Sequence, residues 1–277
     1  MAAGSSVARL PVPTPTVAKL SVRNLVKTRL FAGRTVTAVD GVSFDVDPGE
    51  FVSLLGPSGC GKTSILNVLA GLDRPTSGEV LMDGRPIVAP GPDRALLFQE
   101  PALFPWLSVI GNVELALRLV GVNGSERRAR AMASLDRVHL AKYAFAQPHE
   151  LSAGMRQRGA LARTLACEPD VLLADEPFGA LDAQARELLQ DELQRAWTDR
   201  AGAMTVVFVT HNVREAALLS DRVLVMSASP GRLLEEQRIS APRPRHLDDA
   251  LVSRVVVDIH DSLMREVDRD VTRALDR

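Results

Sequence analysis

Apolar residues along this chain follow two rhythms. Short, largely apolar runs at 51–55, 95–98, 171–174, 205–209 and 222–226 have the length and continuity of strands buried on both faces. Residues 17–22 and 36–46 alternate apolar with polar positions and are predicted as two further strands. Asp47-Pro48-Gly49 marks the turn into the 51–55 strand, and residues 64–70 continue beyond it with an apolar helical pattern. Residues 79–87 carry Asp83-Gly84 at their centre, a strong hairpin signal. From 109 to 167 the spacing turns helical, interrupted by Gly121, Gly124 and Pro148, which predicts a helical insertion. Strands alternating with helices predict a parallel sheet with crossover connections.

The two ends read differently. Residues 1–16 hold Pro, Ser and Thr without periodicity and are expected to be a disordered leader. In residues 247–277, Val252, Val255, Val256, Ile259, Leu263, Val267 and Val271 fall mostly three or four apart, the spacing of an amphipathic helix. Pro242 and Pro244 set this helix off, so the expected division is 1–16, 17–240 and 241–277. Packing against the preceding domain is its expected role.

Composition narrows the classes. The chain has 277 residues, 46% hydrophobic and 24% charged, in the ordinary range of globular proteins. A net charge of −1 gives no field suited to nucleic acid or an anionic membrane. No apolar run approaches a membrane span, and the N-terminus lacks an apolar signal core. Two cysteines, Cys60 and Cys167, make no disulfide framework. A cytoplasmic location is the default expectation.

The chemistry centres on Gly56-Pro57-Ser58-Gly59-Cys60-Gly61-Lys62-Thr63. This is a glycine, four residues, then Gly-Lys-Thr, placed between a predicted strand and the predicted helix that begins near Ser64. Glycines let backbone N–H groups close around phosphate oxygens, and the helix N-terminus adds partial positive charge. Lys62 is expected to reach the β- and γ-phosphates of a nucleotide, and the Thr63 hydroxyl to hold Mg²⁺. Cys60 is either a reactive thiol or a small filler of the loop, the filler being favoured. Phe31, the single aromatic between the first two predicted strands, either stacks on an adenine ring or belongs to the core.

Four polar residues follow directly on predicted strands: Gln99, Asp175, Glu176 and His211. Ligands of parallel sheets bind beyond the carboxyl ends of the strands, so all four are expected to gather beside the phosphate loop. Asp175 is suited to hold Mg²⁺ with Thr63. Glu176 is the candidate general base for an attacking water. Gln99 can bridge metal and water, and His211 can donate to the γ-phosphate. Leu151-Ser152-Ala153-Gly154 opens a predicted helix; an ordinary Ser cap and an anion site are both open readings. Residues 101–107 include Phe104 and Trp106, unusually apolar for a loop. They read equally as a docking surface and as a seal on the insertion's own core.

Taken in order, the phosphate loop, Gln99, Leu151-Ser152-Ala153-Gly154, Asp175-Glu176, Ala180-Leu181-Asp182 and His211 resemble the ATP-binding cassette ATPases. The resemblance covers residues 17–238. It implies a P-loop NTPase fold of α/β class, with a parallel-sheet core, an N-terminal antiparallel β subdomain and a helical subdomain inserted at about 101–167. It implies a head-to-tail homodimer in which ATP at Lys62 of one copy meets Ser152 and Gly154 of the other, with Asp182 at the interface. The stretches Gln99 to Trp106, Asp175 to Asp182 and Ser229-Pro230-Gly231-Arg232 resemble the nitrate, sulfonate, taurine and bicarbonate importer branch. That branch implies a separate integral membrane permease, an extracytoplasmic substrate-binding protein, a place on the cytoplasmic face of the membrane, and no nucleic-acid partner. The apolar loop would then receive a permease helix. Ala153 departs from the family's usual glycine; its methyl is expected to crowd the γ-phosphate or to strain the backbone, weakening hydrolysis. Met155 stands where glutamine is commonest. The alternative class is a soluble ATP-driven clamp for repair or translation, whose long coiled-coil insertion or second cassette this sequence lacks.

Overall fold

The chain opens with a long hairpin, β1 (Leu20–Phe31) and β2 (Arg34–Val46), followed by β3 (Phe51–Leu55) and α1 (Lys62–Leu69). A second hairpin pairs β4 (Ser77–Met82) with β5 (Arg85–Pro86). After β6 (Arg94–Leu97) come three helices, α2 (Val109–Leu119), α3 (Gly124–Arg137) and α4 (Ala153–Ala166). Then β7 (Val171–Asp175), α5 (Ala183–Asp199), β8 (Thr205–Thr210), α6 (Val213–Leu219) and β9 (Arg222–Met226) alternate, and β10 (Leu233–Arg238) and α7 (Ala250–Leu275) complete the order. The computed structural model describes residues 17–31, 33–179, 181–200 and 203–275, without the side chains of Phe31 and of residues 263–275. The expected leader at 1–16 lies outside the described residues.

Two sheets organise these elements. The larger runs β10-β9-β3-β8-β7-β6, parallel except for the antiparallel edge strand β10. Every residue of β3, β7, β8 and β9 is buried, which is why these strands read as continuous apolar runs. One face packs against α2 to α5, where the Phe208 ring lies 6.0 Å from Phe51 and 5.6 Å from Phe178. The other face packs on α1 and on the smaller antiparallel sheet, ordered β2-β1-β4-β5. The turn between β4 and β5 holds Asp83 at φ 49° and Gly84 at φ 73°, the left-handed pair of a two-residue hairpin.

Several sequence expectations shift here. β1 starts at Leu20 rather than 17 and runs on to Phe31. Its pairing with β2 slips between Val22 and Leu25, again to Lys27 and again to Thr28, so the alternation breaks while the strand continues. Phe31 therefore ends β1, paired with Arg34, instead of lying between strands; its side chain falls outside the described residues, and so does the stacking question. Gly124 opens α3 rather than interrupting it. β6 stops at Leu97, two residues short of Gln99. In α7, Val252 and Ile259 are buried with Ala216, Ala217 and Val225, joined by Val255 and Val256, as the periodicity predicted.

Candidate nucleotide site

The phosphate loop joins the carboxyl end of β3 to α1. Gly59 and Gly61 take φ of 81° and 92°, conformations that side chains rarely adopt. A Cβ at Gly59 would meet nothing within 4 Å, so the loop is open on that side. α1 has Gly61 as its N-cap and no side-chain cap, leaving its first N–H groups for an anion. These features fit a nucleotide phosphate. Ser64 is buried within α1.

Lys62 is buried, and its ammonium donates to the carbonyls of Gly56 at 2.7 Å and Pro57 at 2.9 Å within its own loop. Thr63 Oγ1 donates to Asp175 Oδ1 at 3.1 Å. This hydroxyl and carboxylate form the hard oxygen pair that suits Mg²⁺. Burial pushes the Asp175 carboxyl up and Glu176 adds to the shift, against the Thr63 hydrogen bond and Lys62. Cys60 is fully buried, and burial pushes its thiol up despite Lys62 nearby, which supports the filler reading over the reactive one.

Glu176 follows β7 at φ 42°, a strained setting for a non-glycine residue. Its N–H bonds the Val209 carbonyl at 2.9 Å, carrying the ladder with β8 one residue past Asp175. Its Oε2 meets His211 Nδ1 at 2.8 Å, and its Oε1 lies 4.0 Å from the Lys62 ammonium. Parallel pairing of β3 with β8 and of β8 with β7 thus brings Lys62, Thr63, Asp175, Glu176 and His211 to one sheet edge. A His211 ring protonated on both nitrogens can donate to Glu176 and to a phosphate together. Gln99 is exposed and makes no hydrogen bond to Thr63 or Asp175.

Ser152 and Asp182 act as helix caps in this structure. Ser152 Oγ accepts from the Met155 N–H at 3.2 Å, and an Asp182 oxygen accepts from Ala185 N–H at 2.9 Å. A Cβ on Gly154 would lie 3.7 Å from Leu181 and 3.8 Å from Ala185, so the start of α4 sits against the start of α5. The described residues show no hydrogen bond from Ser152 or Asp182 to the phosphate loop. Ala153 is the first helical residue of α4, a conformation that alanine favours. The expected backbone strain at Ala153 is therefore absent, and its methyl is exposed at the helix start.

One residue of this region escaped the sequence reading. Glu215 is buried, accepting from Thr210 Oγ1 at 2.7 Å and from Gln190 Nε2 at 3.4 Å, with Arg186 at 3.7 Å. Thr210 Oγ1 in turn accepts from Asn212 N–H at 3.0 Å. Glu215 thereby fixes the turn that carries His211. As the third residue of a helix capped by Asn212, it looked like an ordinary first-turn acid. Burial pushes its carboxyl up, against Thr210, Arg186 and His211. A raised carboxyl holds its proton to higher pH in the folded chain than in the unfolded one, so its contribution to stability falls as pH rises from about 4.3 through the folded pKa. The stability of Glu215→Gln relative to the parent should therefore grow with pH across this window, measured by urea denaturation at a series of pH values. A flat difference would refute it.

Comparison with known proteins identifies the family. The family model described as ABC transporter matches residues 39–179. An uncharacterized ABC transporter ATP-binding protein of Methanocaldococcus jannaschii is 48% identical over 82% of this chain and 84% of its own length. A taurine import ATP-binding protein of Rhizobium johnstonii is 50% identical, covering 73% of this chain and 76% of the relative. A nitrate import ATP-binding protein of Synechocystis is 44% identical, covering 77% and 80%. Among solved structures, the dimeric ATP-binding cassette MJ0796 in a post-hydrolysis state, bound to ADP and phosphate, superimposes with a TM-score of 0.73 at 33% identity, over 80% of this chain and 100% of that one. With the phosphate loop, the acidic pair and the histidine on one sheet edge, the chain belongs to the ABC transporter family as an ATP-binding ATPase subunit.

Proposed function

We propose that this subunit drives uptake of a small anionic solute, of nitrate, sulfonate, taurine or bicarbonate type, through a separate integral membrane permease. An extracytoplasmic substrate-binding protein would feed that permease. The observation that carries the catalytic half is the cluster of Lys62, Thr63, Asp175, Glu176 and His211. The importer half is supported by the taurine and nitrate import relatives and by the apolar loop. Trp106 is 73% exposed and lies 5.3 Å from the half-exposed Phe104 ring, so these rings do not seal the helical core. Buried Asn112 accepts from Phe104 N–H at 2.7 Å and donates toward the carbonyls of Phe104, Leu107 and Ser108. The loop is thus fixed from below while it presents an aromatic surface, as a site for a permease helix requires.

In this reading the chain works as a homodimer on the cytoplasmic face of the membrane. The N–H groups of residues 56–63 and the Lys62 ammonium bind the ATP phosphates. Thr63, Asp175 and Gln99 would hold Mg²⁺, which supplies charge neutralisation for the γ-phosphate. Glu176 orients and deprotonates the attacking water. His211 donates to the γ-phosphate while its other nitrogen holds Glu176. Ser152, Gly154 and Asp182 of the second copy close the site. No helix of the described residues is long and apolar enough to cross a membrane, consistent with a separate permease.

The test is a pull-down of tagged Glu176→Gln chain, held with ATP and Mg²⁺, from a detergent extract of its own cells. A multispanning membrane protein in stoichiometric amount is expected, and Trp106→Asp should lose it. Recovery of a soluble protein or nucleic acid in its place would overturn the importer reading.

A further inference from the structure

The turn between β9 and β10 is the sequence Ser227-Ala228-Ser229-Pro230-Gly231-Arg232. The proposed reaction assigns it no part. Its shape is closed by Ser227, whose N–H bonds the Arg232 carbonyl at 2.9 Å and whose Oγ accepts from Arg232 N–H at 2.9 Å. The same hydroxyl faces the Pro230 carbonyl at 3.0 Å. From this turn Gly231 reaches across to β2. Its N–H donates to the Ala38 carbonyl, and its own carbonyl accepts from Asp40 N–H, both at 2.9 Å. Arg232 then pairs with the Asp40 carboxylate, Nε to Oδ2 at 3.0 Å.

The phosphate loop lies directly against this bridge. A Cβ on Gly231 would fall 1.9 Å from the Cys60 carbonyl oxygen. Gly231 does not have a positive φ, so close approach, not backbone conformation, is what demands glycine here. On β2, a Cβ on Gly61 would fall 2.6 Å from Val39 Cγ2 and 2.7 Å from the Ala38 carbonyl. At the start of the loop, a Cβ on Gly56 would fall 3.0 Å from the Met226 carbonyl, where β9 ends. The loop backbone is therefore wedged among the end of β9, Gly231 and the Ala38–Val39 segment of β2. The Gly231 hydrogen bonds and the Arg232–Asp40 pair tie two of those walls together.

We propose that residues 227–232 are a positioning strap for the phosphate loop, with Gly231 as its contact and Arg232–Asp40 as its tie. The proposal rests on the reading of residues 56–63 as the loop that binds nucleotide phosphates. The strap touches no reacting atom. It sets the direction of the Cys60 and Gly61 peptides, and it joins the phosphate loop to the antiparallel sheet whose first strand ends at Phe31. Loop N–H groups bind phosphate well only when held in place beforehand, so a displaced strap should weaken nucleotide binding and leave the chemistry of bound ATP intact.

The experiment compares full-length parent, Gly231→Ala, Arg232→Ala, Arg232→Lys, Asp40→Ala and the Asp40→Ala/Arg232→Ala pair. ATP affinity by calorimetry, KM and kcat are measured well below each thermal midpoint. Gly231→Ala should weaken ATP binding and raise KM about 10-fold or more, with kcat at saturating ATP within about 2-fold of the parent. Arg232→Ala should raise KM by about 2- to 5-fold, the range of a half-exposed ion pair. Arg232→Lys should restore the parent value, and the double variant should be no worse than either single one. Unchanged KM in Gly231→Ala overturns the strap. Should Gly231→Ala fail to fold, an unchanged KM in Arg232→Ala overturns it equally. A parent that itself fails to bind ATP would refute the reading of the phosphate loop, and the strap with it.

Discussion

Glu176→Gln should lower ATP turnover by about 10²- to 10⁴-fold, the usual contribution of a placed general base, while ATP affinity changes by less than about 2-fold. The argument starts from position. Glu176 is the first residue beyond β7, and its carboxylate is mostly buried, with His211 Nδ1 at 2.8 Å and the Lys62 ammonium at 4.0 Å. The backbone there sits at φ 42°, a cost of order 1–3 kcal/mol that persists where the surroundings enforce it. The ladder bond to Val209 and the Gly179 N–H bond to its carbonyl do so. Glutamine has the same shape and can still accept from His211, so the site should remain assembled and only proton acceptance should be lost. Parallel measurements of single-turnover hydrolysis and ATP affinity decide the matter. Undiminished turnover would remove Glu176 from the base role, and lost affinity would make it a structural residue of the loop.

What the sequence revealed follows from how local each signal is. The phosphate loop was readable because its glycines, lysine and threonine are fixed by ligand chemistry within eight consecutive positions. β3, β7, β8 and β9 were readable because burial on both faces leaves them largely apolar, with polar residues mostly at their ends. The acidic pair and His211 followed from topology, since parallel strands carry their ends to one edge. The missed features are long-range or locally disguised. β10 reads Leu-Leu-Glu-Glu-Gln-Arg and is largely exposed at the sheet edge, so no apolar run marks it. The slips in β1 broke an alternation on which its length could have been read. Glu215 was hidden because a first-turn helical acid needs no special explanation, and its burial comes from Gln190 and Arg186 on α5. Gly231 carried only a resemblance, since its contact with Cys60 joins residues far apart in the chain. Ala153 was misjudged in one respect, because a glycine position was taken to require a glycine conformation when the helix start does not.

Lys62→Ala should abolish useful ATP binding, with affinity lower by about 30- to 5,000-fold. This range corresponds to the roughly 2–5 kcal/mol lost when one partner of a buried, hydrogen-bonded charge pair is truncated. The ammonium is buried and donates to the Gly56 and Pro57 carbonyls of its own loop. In the proposed complex, phosphate oxygens of ATP would take the place of those neutral carbonyl partners, and charge-assisted bonds of that kind are about twice as strong as neutral ones. The loop itself should survive the substitution, because Gly56, Cys60 and Gly61 remain wedged against Met226, Gly231 and the Ala38–Val39 segment. The effect should therefore appear in ATP affinity and far less in the urea midpoint of the nucleotide-free chain. Calorimetric titration of the variant with ATP and Mg²⁺, beside its denaturation curve, separates the two. Retained affinity would show that the loop amides and the α1 N-terminus suffice for the phosphates. A collapse of stability together with affinity would make Lys62 a strut of the loop. In the expected result, binding is lost from a chain that remains folded, which places the lysine's energy in the complex with ATP.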